Sequence, residues 1–173
     1  KTQFGFDHNQ ITLGNGSNDL LEIFARAFVS EKDSVIYSQH AFAVYALVTQ
    51  AINAEAIEVP AKGFSHDLEA MAAAVKDNTK LIFIANPNNP TGTWFEEAEF
   101  EAFMQKVPAN VIVVLDEAYV EYFPENFNSL KNLDQYPNLI VSRTLSKCYG
   151  LAALRVGFAL ASVQVTDYLN RIR

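Results

Sequence analysis

Residues 81–92 read LIFIANPNNPTG, and this segment indicates the class of fold more clearly than any other part of the chain. Its first five residues are all apolar, which is typical of a β-strand that is covered on both faces. The seven residues that follow are almost all turn formers, so we expect the strand to end abruptly at Ala85. The segment therefore predicts a buried strand whose carboxyl end opens into a polar turn.

Similar apolar runs occur on both sides of this segment and alternate with stretches of helical periodicity. The runs predict seven strands, at residues 11–13, 34–37, 56–59, 81–85, 111–115, 139–141 and 156–160. Helices are predicted between and after them, at about 20–28, 41–52, 66–75, 96–106 and 163–173. This alternation is typical of a three-layer α/β/α fold with a mostly parallel seven-stranded sheet. Ligands of such sheets bind beyond the carboxyl ends of the strands, which is where the polar motifs lie.

The composition indicates a globular domain and excludes several classes of partner. Of the 173 residues, 50% are hydrophobic and 19% are charged, which is too apolar for intrinsic disorder. The formal net charge of −7 disfavours nucleic acid and anionic membranes, although a local cationic site for a small anion remains possible. Cys148 is the one cysteine, which excludes a disulfide framework and favours a reducing compartment such as the cytoplasm.

A glycine-containing loop at residues 14–18 joins the first strand to the first helix. Backbone N–H groups at a helix N-terminus bind anions, and glycine permits a ligand to approach closely. An ordinary turn, with Ser17 or Asn18 as the N-cap, explains the same sequence equally well. The loop matches neither the dinucleotide-binding nor the Walker pattern of glycines.

Asp116 directly follows the apolar run 111–115, so we expect its carboxylate at the mouth of the sheet. Such a residue can cap a turn, pair with a cationic ring nitrogen, or bind a metal. We predict no metal site, because no second carboxylate or histidine recurs at ligand spacing and the three histidines are scattered.

Candidate site residues are most densely grouped at residues 143–157, between the last two predicted strands. Lys147 lies here between hydroxyl residues and a Tyr-Gly pair, eight positions before Arg155. A lone lysine is usually solvated surface. A lysine held beside a cation in a dry pocket has its charged form disfavoured, which favours a nucleophilic amine. Lys147 is therefore the candidate nucleophile, and we expect Cys148 to serve packing only.

Three motifs occur in order along the chain: Asn89-Pro90-Thr91-Gly92, Asp116-Glu117-Ala118-Tyr119, and Ser146-Lys147-x-Tyr149-Gly150 followed by Arg155. This ordered set resembles the large domain of fold type I pyridoxal-phosphate aminotransferases. Residues 14–17, 40–45, 116–122 and 143–147 resemble histidinol-phosphate aminotransferases in particular. The resemblance covers residues 1–173 as one cofactor-binding large domain. The N-terminal arm and C-terminal small domain of the family are not found, so we expect the chain to be a piece of a longer protein.

The resemblance implies a role for each matching residue, with pyridoxal 5′-phosphate as the cofactor. Lys147 would hold the cofactor as a Schiff base and move the reaction proton, and Asp116 would face the pyridine nitrogen. Asn89 and Tyr119 would donate hydrogen bonds to the phenolate oxygen, and Phe42 would lie on the face of the ring. Lys147, Asp116 and Tyr119 would be catalytic. The cofactor phosphate would bind at Gly16, Ser17, Asn18, Thr144, Ser146 and Arg155.

The same resemblance implies an enzyme of histidine biosynthesis that transfers an amino group between L-histidinol phosphate and 2-oxoglutarate. The complete enzyme would be a cytoplasmic homodimer that acts on small molecules, without nucleic acid or membrane partners. The isolated piece is expected to bind the cofactor weakly and to be inactive. An aromatic-amino-acid aminotransferase and an amino-acid phosphate decarboxylase remain alternatives within the fold. A non-catalytic, aminotransferase-like ligand-binding domain is an alternative from another class.

Overall fold

The computed structural model describes residues 5–123, 127 and 129–173. All seven predicted strands are present there and form one sheet. In chain order they are β1 (Ile11–Asn15), β2 (Ser34–Ser38), β3 (Glu55–Val59), β4 (Thr79–Ala85), β5 (Ile112–Asp116), β6 (Leu139–Thr144) and β7 (Val156–Ala161). Across the sheet the order is β1-β7-β6-β5-β4-β2-β3.

The directions of the strands determine which residues meet at one edge of the sheet. The neighbouring pairs β2–β3, β2–β4, β4–β5 and β5–β6 are parallel, whereas β7 is antiparallel to both β6 and β1. The prediction of a mostly parallel sheet is therefore confirmed. Because β7 runs in the opposite direction, its first residues lie beside the last residues of its neighbours. Val156 pairs with Asn15, and Gly157 pairs with Thr144.

Helices cover both faces of the sheet. They are α1 (Ser17–Phe28), α2 (Val44–Ala51), α3 (Leu68–Ala73), α4 (Glu97–Lys106) and α5 (Val163–Ile172). Short 3-10 helices occur at His8–Gln10, Val120–Tyr122, Ser129–Leu133 and Ala152–Leu154. In the described part of the chain, no helix has both the length and the apolar character that crossing a membrane requires.

Strand β4 shows why the sequence produces three layers. Successive side chains of a strand point to opposite faces, so an unbroken apolar run supplies a core on each side. Leu81 and Phe83 pack in the core that includes α1, α2 and α5, whereas Ile82 and Ile84 pack in the core that includes α3 and α4. All four side chains are fully buried. The predicted α/β/α architecture is therefore confirmed.

Candidate functional site

The polar ends of several strands meet along one edge of the sheet. Ala85, the last residue of β4, pairs with Asp116, the last residue of β5. Asp116 also pairs with Ser142 of β6, two residues before that strand ends at Thr144. The sheet register therefore brings together chain segments that are far apart in sequence.

A cavity at this edge contains most of the site residues that the sequence predicts. The predicted residues that line it are Ser17, Asn18, Phe42, Asn89, Asp116, Tyr119 and Lys147. The remaining lining residues are Tyr45, Ala85, Pro87 and Ala118. The candidate amine and the candidate carboxylate thus share one cavity.

Asp116 is a buried carboxylate, with only 4% of its surface exposed. Its Oδ2 accepts a hydrogen bond of 2.9 Å from the Tyr45 hydroxyl, and its Oδ1 accepts one of 3.2 Å from the N–H of Ala118. Burial raises the pKa of Asp116 to about 6, while the two hydrogen bonds and the charge of Lys147 act in the opposite direction. At neutral pH the carboxylate is therefore mostly ionised and can pair with a cation that enters the cavity.

Tyr45 also lines the cavity, although its sequence context does not distinguish it from an ordinary core residue. Its fully buried ring stacks on Phe83, with 4.8 Å between centroids, and meets Phe42 edge-on at 5.9 Å. Burial raises the pKa of the Tyr45 hydroxyl well above its ordinary value, so this group is a hydrogen-bond donor to Asp116. The available signal was the three-residue spacing from Phe42, which places both rings on one face where α2 begins.

Lys147 lies on the loop between β6 and β7. Its Nζ is 5.2 Å from the centroid of the Tyr119 ring, within the range of a cation–π attraction. The residue as a whole is exposed, as are the three residues that follow it. The expectation of a dry pocket is not met in the described part of the chain, because Lys147 and its neighbours on the loop are exposed to solvent.

In the asparagine-rich turn after β4, two side-chain amides bind the backbone and a third lines the cavity. Asn86 exchanges two hydrogen bonds of 3.1 Å with the backbone of Phe95, and Asn88 donates one of 2.7 Å to the carbonyl of His40. Asn89 lines the cavity and makes no side-chain hydrogen bond to another described residue. Its amide is therefore available to a ligand.

The loop before α1 and the side chain of Arg155 form a second part of the site. Gly16 has a φ of 82°, which favours glycine, and it precedes the helix without a side-chain cap. Ser17 is the first helical residue, so the interpretation in which Ser17 or Asn18 caps the helix is wrong. Nη2 of Arg155 donates a hydrogen bond of 3.2 Å to the Asn15 carbonyl. Backbone N–H groups and a guanidinium thus meet here, and this donor set suits a phosphate or another small anion.

Ser146 and Thr144 flank this part of the site in different ways. The Ser146 hydroxyl accepts a hydrogen bond of 3.5 Å from Nη1 of Arg155. The buried Thr144 hydroxyl instead donates to the Val156 carbonyl at 3.4 Å and accepts from the Ser146 N–H at 3.2 Å. Thr144 therefore positions the backbone of Ser146 in this structure, because its hydroxyl is already engaged with main-chain groups.

A buried ion pair lies beside Asp116 and was not selected from the sequence. Oε2 of Glu117 accepts hydrogen bonds from Nη2 and Nε of Arg143, at 2.7 and 2.8 Å. Its Oε1 accepts one of 2.5 Å from the Ser129 hydroxyl. Burial raises the pKa of Glu117, and the charge of Arg143 opposes that shift. The pair joins the residue that follows β5 to strand β6, next to Asp116.

His66 contacts the end of β4 from the layer that contains α3 and α4. Its Nε2 lies 3.1 Å from the Ala85 carbonyl oxygen, and burial lowers the pKa of this imidazole to about 4. Among the described residues, no group of three or more His, Cys, Asp or Glu side chains is arranged to hold a metal ion. His66 is therefore a neutral, structural side chain at the back of the sheet edge.

Known proteins are similar to this chain in sequence and in fold. The family model for aminotransferase class I and II matches residues 2–173. The chain belongs to the aminotransferase class I and II family. The resemblance seen in the three ordered motifs is thereby confirmed.

Individual relatives give this aminotransferase-family chain a closer context. It is 63% identical over 166 residues to histidinol-phosphate aminotransferase 2 of Hydrogenovibrio crunogenus, covering 95% of this chain and 44% of that protein. The crystal structure of histidinol-phosphate aminotransferase from Sinorhizobium meliloti in complex with pyridoxal-5′-phosphate is 32% identical, with a TM-score of 0.93. That match covers 98% of this chain and 47% of the other.

The same fold occurs with a different activity. L-threonine-O-3-phosphate decarboxylase from Porphyromonas gingivalis is 25% identical, with a TM-score of 0.82, over 98% of this chain and 49% of that one. The chain spans about half the length of each of these three proteins. Family and fold are therefore shared along the whole chain, while the rest of each relative has no counterpart in these 173 residues.

Proposed function

We propose that this chain is the cofactor-binding large domain of a histidinol-phosphate aminotransferase. The complete enzyme would transfer an amino group between L-histidinol phosphate and 2-oxoglutarate, in histidine biosynthesis. The names of the similar proteins from Hydrogenovibrio crunogenus and Sinorhizobium meliloti support this choice of substrate. The family's N-terminal arm and small domain would lie in the rest of the protein.

The proposed cofactor is pyridoxal 5′-phosphate, which bonds covalently to an amine and acts as an electron sink when bound. The residues of the site fit such a group. An amine, a buried carboxylate, a free amide and a phenol line one cavity, at Lys147, Asp116, Asn89 and Tyr119. A Cβ at Gly157 would lie 2.6 Å from the backbone N of Ser17, so the absence of a side chain there lets β7 pack against the start of α1.

Lys147 and Asp116 would have the central roles. Nζ of Lys147 would hold the cofactor until the amine of the amino donor displaces it. The freed amine would then take the proton from Cα of the donor and return it to C4′ of the cofactor. The carboxylate of Asp116 would pair with the protonated ring nitrogen. A charge pair at ~3 Å in an effective dielectric of ~20 is worth about 5 kcal/mol before desolvation, which is enough to hold that proton at neutral pH.

The other cavity residues would orient the cofactor. The amide of Asn89 and the hydroxyl of Tyr119 would donate hydrogen bonds to its phenolate oxygen, and Phe42 would pack on the ring face. The backbone of the Gly16 loop would bind the phosphate at the helix N-terminus, together with the predicted ligands Ser17, Asn18, Ser146 and Arg155. Thr144, whose hydroxyl is engaged with main-chain groups, would act only through the position of Ser146. Arg155 suits this role because its planar guanidinium binds two phosphate oxygens at once.

The proposal includes the setting of the complete enzyme. The single cysteine favours a cytoplasmic location, and the family resemblance favours a homodimer. The exposed position of Lys147 suggests why the 173-residue chain alone would bind the cofactor weakly and be inactive. A covering element from the rest of the protein would be needed to exclude water from the reacting amine.

The observation that supports this proposal most strongly is that Lys147 and Asp116 line the same cavity. The direct test is to incubate the protein with pyridoxal phosphate, reduce with borohydride, and map the label by peptide mass spectrometry. We expect the label on Lys147 and its loss in Lys147→Arg, while Lys131→Arg, which changes an exposed lysine, leaves it unchanged. A label on another lysine with none on Lys147 would remove the assignment.

The substrate requires a second experiment, on the complete enzyme. Its rate would be measured with histidinol phosphate, phenylalanine, tyrosine and threonine phosphate as amino donors, with 2-oxoglutarate as the acceptor. We expect the highest kcat/KM for histidinol phosphate. Release of CO2 from threonine phosphate would instead favour the decarboxylase alternative, for which the Porphyromonas gingivalis structure is the supporting observation. Cofactor binding without turnover of any donor would favour the non-catalytic alternative.

A further inference from the structure

Tyr45 connects two parts of the cavity that the proposed function treats separately. Its hydroxyl donates a 2.9 Å hydrogen bond to Oδ2 of Asp116, and its ring contacts Phe42 edge-on, with an angle of 88° between the ring planes. The opposite contact is to Phe83 of β4, whose ring is nearly parallel, at 5°. Tyr45 is thus fixed between the sheet and the residue that would lie on the cofactor ring.

Burial restricts the Tyr45 hydroxyl to the hydrogen bond with Asp116. The side chain is fully buried, and a buried hydroxyl without a hydrogen bond is costly, so the donor is committed to Asp116. The ring cannot turn freely because aromatic rings contact it from two directions. The position of the hydroxyl is therefore set by the core, and the core in turn sets the position of Oδ2.

Asp116 has few other constraints on its side chain. Within the described residues, the groups that act on its carboxylate are Tyr45 from α2, the N–H of Ala118, and the charge of Lys147. The N–H of Ala118 holds Oδ1, at 3.2 Å. With one hydrogen bond on each oxygen, the plane of the carboxylate is fixed, and each oxygen keeps acceptor capacity for a ligand.

We propose that Tyr45 is a positioning residue of the cofactor site, whose hydroxyl fixes the Asp116 carboxylate for the ring nitrogen and whose ring supports Phe42. This inference rests on the proposed function, because it requires a cofactor that pairs with Asp116. The hydroxyl also stabilises the ionised carboxylate against the cost of burial, since hydrogen bonds to a charged acceptor favour the charged form. Tyr45 would touch neither substrate nor reacting atoms.

The substitution Tyr45→Phe tests this role with the least disturbance, because it keeps both aromatic contacts and removes the hydroxyl alone. The dissociation constant of pyridoxal phosphate would be measured from pH 5 to 9 by absorbance titration of the purified protein. We expect binding by wild type to weaken as pH falls and Asp116 becomes protonated. In Tyr45→Phe the midpoint of that loss should move up by about one pH unit, because one hydrogen bond to a charged group is removed.

Three further variants make this result specific. Tyr168→Phe removes a hydroxyl from a half-exposed tyrosine of α5 and should reproduce the wild-type profile. In an Asp116→Asn background, Tyr45→Phe should have no further effect on the midpoint. Site-specific 3-fluorotyrosine at position 45 keeps the shape of the side chain and strengthens the donor, so it should move the midpoint down. The fluorotyrosine variant also gives the answer if Tyr45→Phe does not fold.

The outcomes separate the inference from the proposed function. Opposite shifts in Tyr45→Phe and the fluorotyrosine variant, both abolished by Asp116→Asn, support the positioning role. An Asp116-dependent profile that neither change at position 45 moves would overturn that role and leave the proposed function standing. Wild-type protein that does not bind pyridoxal phosphate, or binds it in the same way with and without Asp116, would overturn both.

Discussion

Arg155 lies so close to Gly16 that a Cβ at this glycine would overlap Nη2 of the guanidinium and lie 2.9 Å from its Cζ. The two residues come from opposite ends of the chain, and strand β7 brings them together because it runs antiparallel to β1. The close approach leaves backbone N–H groups and a guanidinium around one small volume. Gly16 is therefore required both by its own backbone conformation and by the side chain above it.

The substitution Gly16→Ala should weaken cofactor binding strongly. An L-residue at a φ of 82° is strained by about 1–3 kcal/mol, and the added Cβ would displace the guanidinium that is proposed to bind the phosphate. We expect the dissociation constant of pyridoxal phosphate, measured by absorbance titration, to rise by at least about tenfold. Gly63→Ala is the matched control, since its φ is 66° and nothing lies within 4 Å of its added Cβ. If the two variants bound the cofactor equally well, the phosphate site would lie elsewhere.

The sequence predicts the frame of this site well. Uniform apolar runs such as residues 81–85 identify strands that are buried on both faces, because only such strands have no polar face. Once the strands are known, Asp116 and the turn after Ala85 must meet, since parallel neighbours end at the same edge. The position of the candidate carboxylate therefore follows from hydrophobic patterning and sheet geometry.

The direction of β7 does not follow from the sequence pattern. The connection from Thr144 to Val156 contains only a three-residue 3-10 helix. A parallel connection needs a crossover of about a dozen residues or more, usually through an α-helix. The connection of residues 145–155 lies near that limit, so its length alone does not determine the direction of β7. The antiparallel pairing, which places Arg155 beside the loop before α1, is seen only in the structure.

Side-chain partners could not be predicted in this way. Tyr45 and Asp116 are separated by 71 residues, and an apolar pattern describes Tyr45 equally well as an ordinary core residue. The same holds for Glu117 and Arg143, whose pairing depends on the register between β5 and β6. Periodicity identifies the face on which a residue lies but not the atom that its polar group contacts.

Asp116 should make the stability of the ligand-free protein fall as pH rises from about 4 to about 6. Burial raises its pKa from 3.8 to about 6, so in this range the native state binds more protons than the unfolded state. The shift corresponds to about 3 kcal/mol. Asp116→Asn removes this contribution. The free energy of unfolding of the variant minus that of wild type should therefore increase by about 2 kcal/mol between pH 4 and 6, since the native carboxyl is still half protonated at pH 6. Urea denaturation across that range measures the difference, and a constant value would mean that Asp116 titrates normally.

His66 should change the stability in the opposite direction over nearly the same pH range. Burial lowers its pKa from 6.5 to about 4, so the unfolded state binds more protons between these values and stability rises with pH. His66→Gln keeps an amide near the Ala85 backbone and removes the titration. The free energy of unfolding of this variant minus that of wild type should therefore fall by about 3 kcal/mol from pH 4 to 6.5. His8→Gln, at an exposed histidine, is the control, and an equal slope in both variants would contradict the burial of His66.

The ion pair below the site should be more important for stability than surface pairs of the same geometry. Glu117 is 1% exposed and accepts hydrogen bonds from Arg143 and Ser129. Glu117→Gln removes the negative charge from a fully buried side chain and replaces one acceptor oxygen with a donor group, so the guanidinium of Arg143 loses the carboxylate of this ion pair. Breaking such a pair costs about 3–5 kcal/mol, and we expect a loss in this range by urea denaturation at pH 7.

Glu22→Gln provides the comparison for this last prediction. Glu22 pairs with Arg26 at 2.7 Å on α1, but both side chains are at least half exposed. Pairs of this kind, four residues apart on a helix surface, contribute about 0.3–0.5 kcal/mol because water screens them. The two substitutions are chemically identical, so the difference between their effects reports the burial of Glu117 together with its hydrogen bond from Ser129. A loss at Glu117 as small as that at Glu22 would show that the pair does not hold the edge of the sheet together.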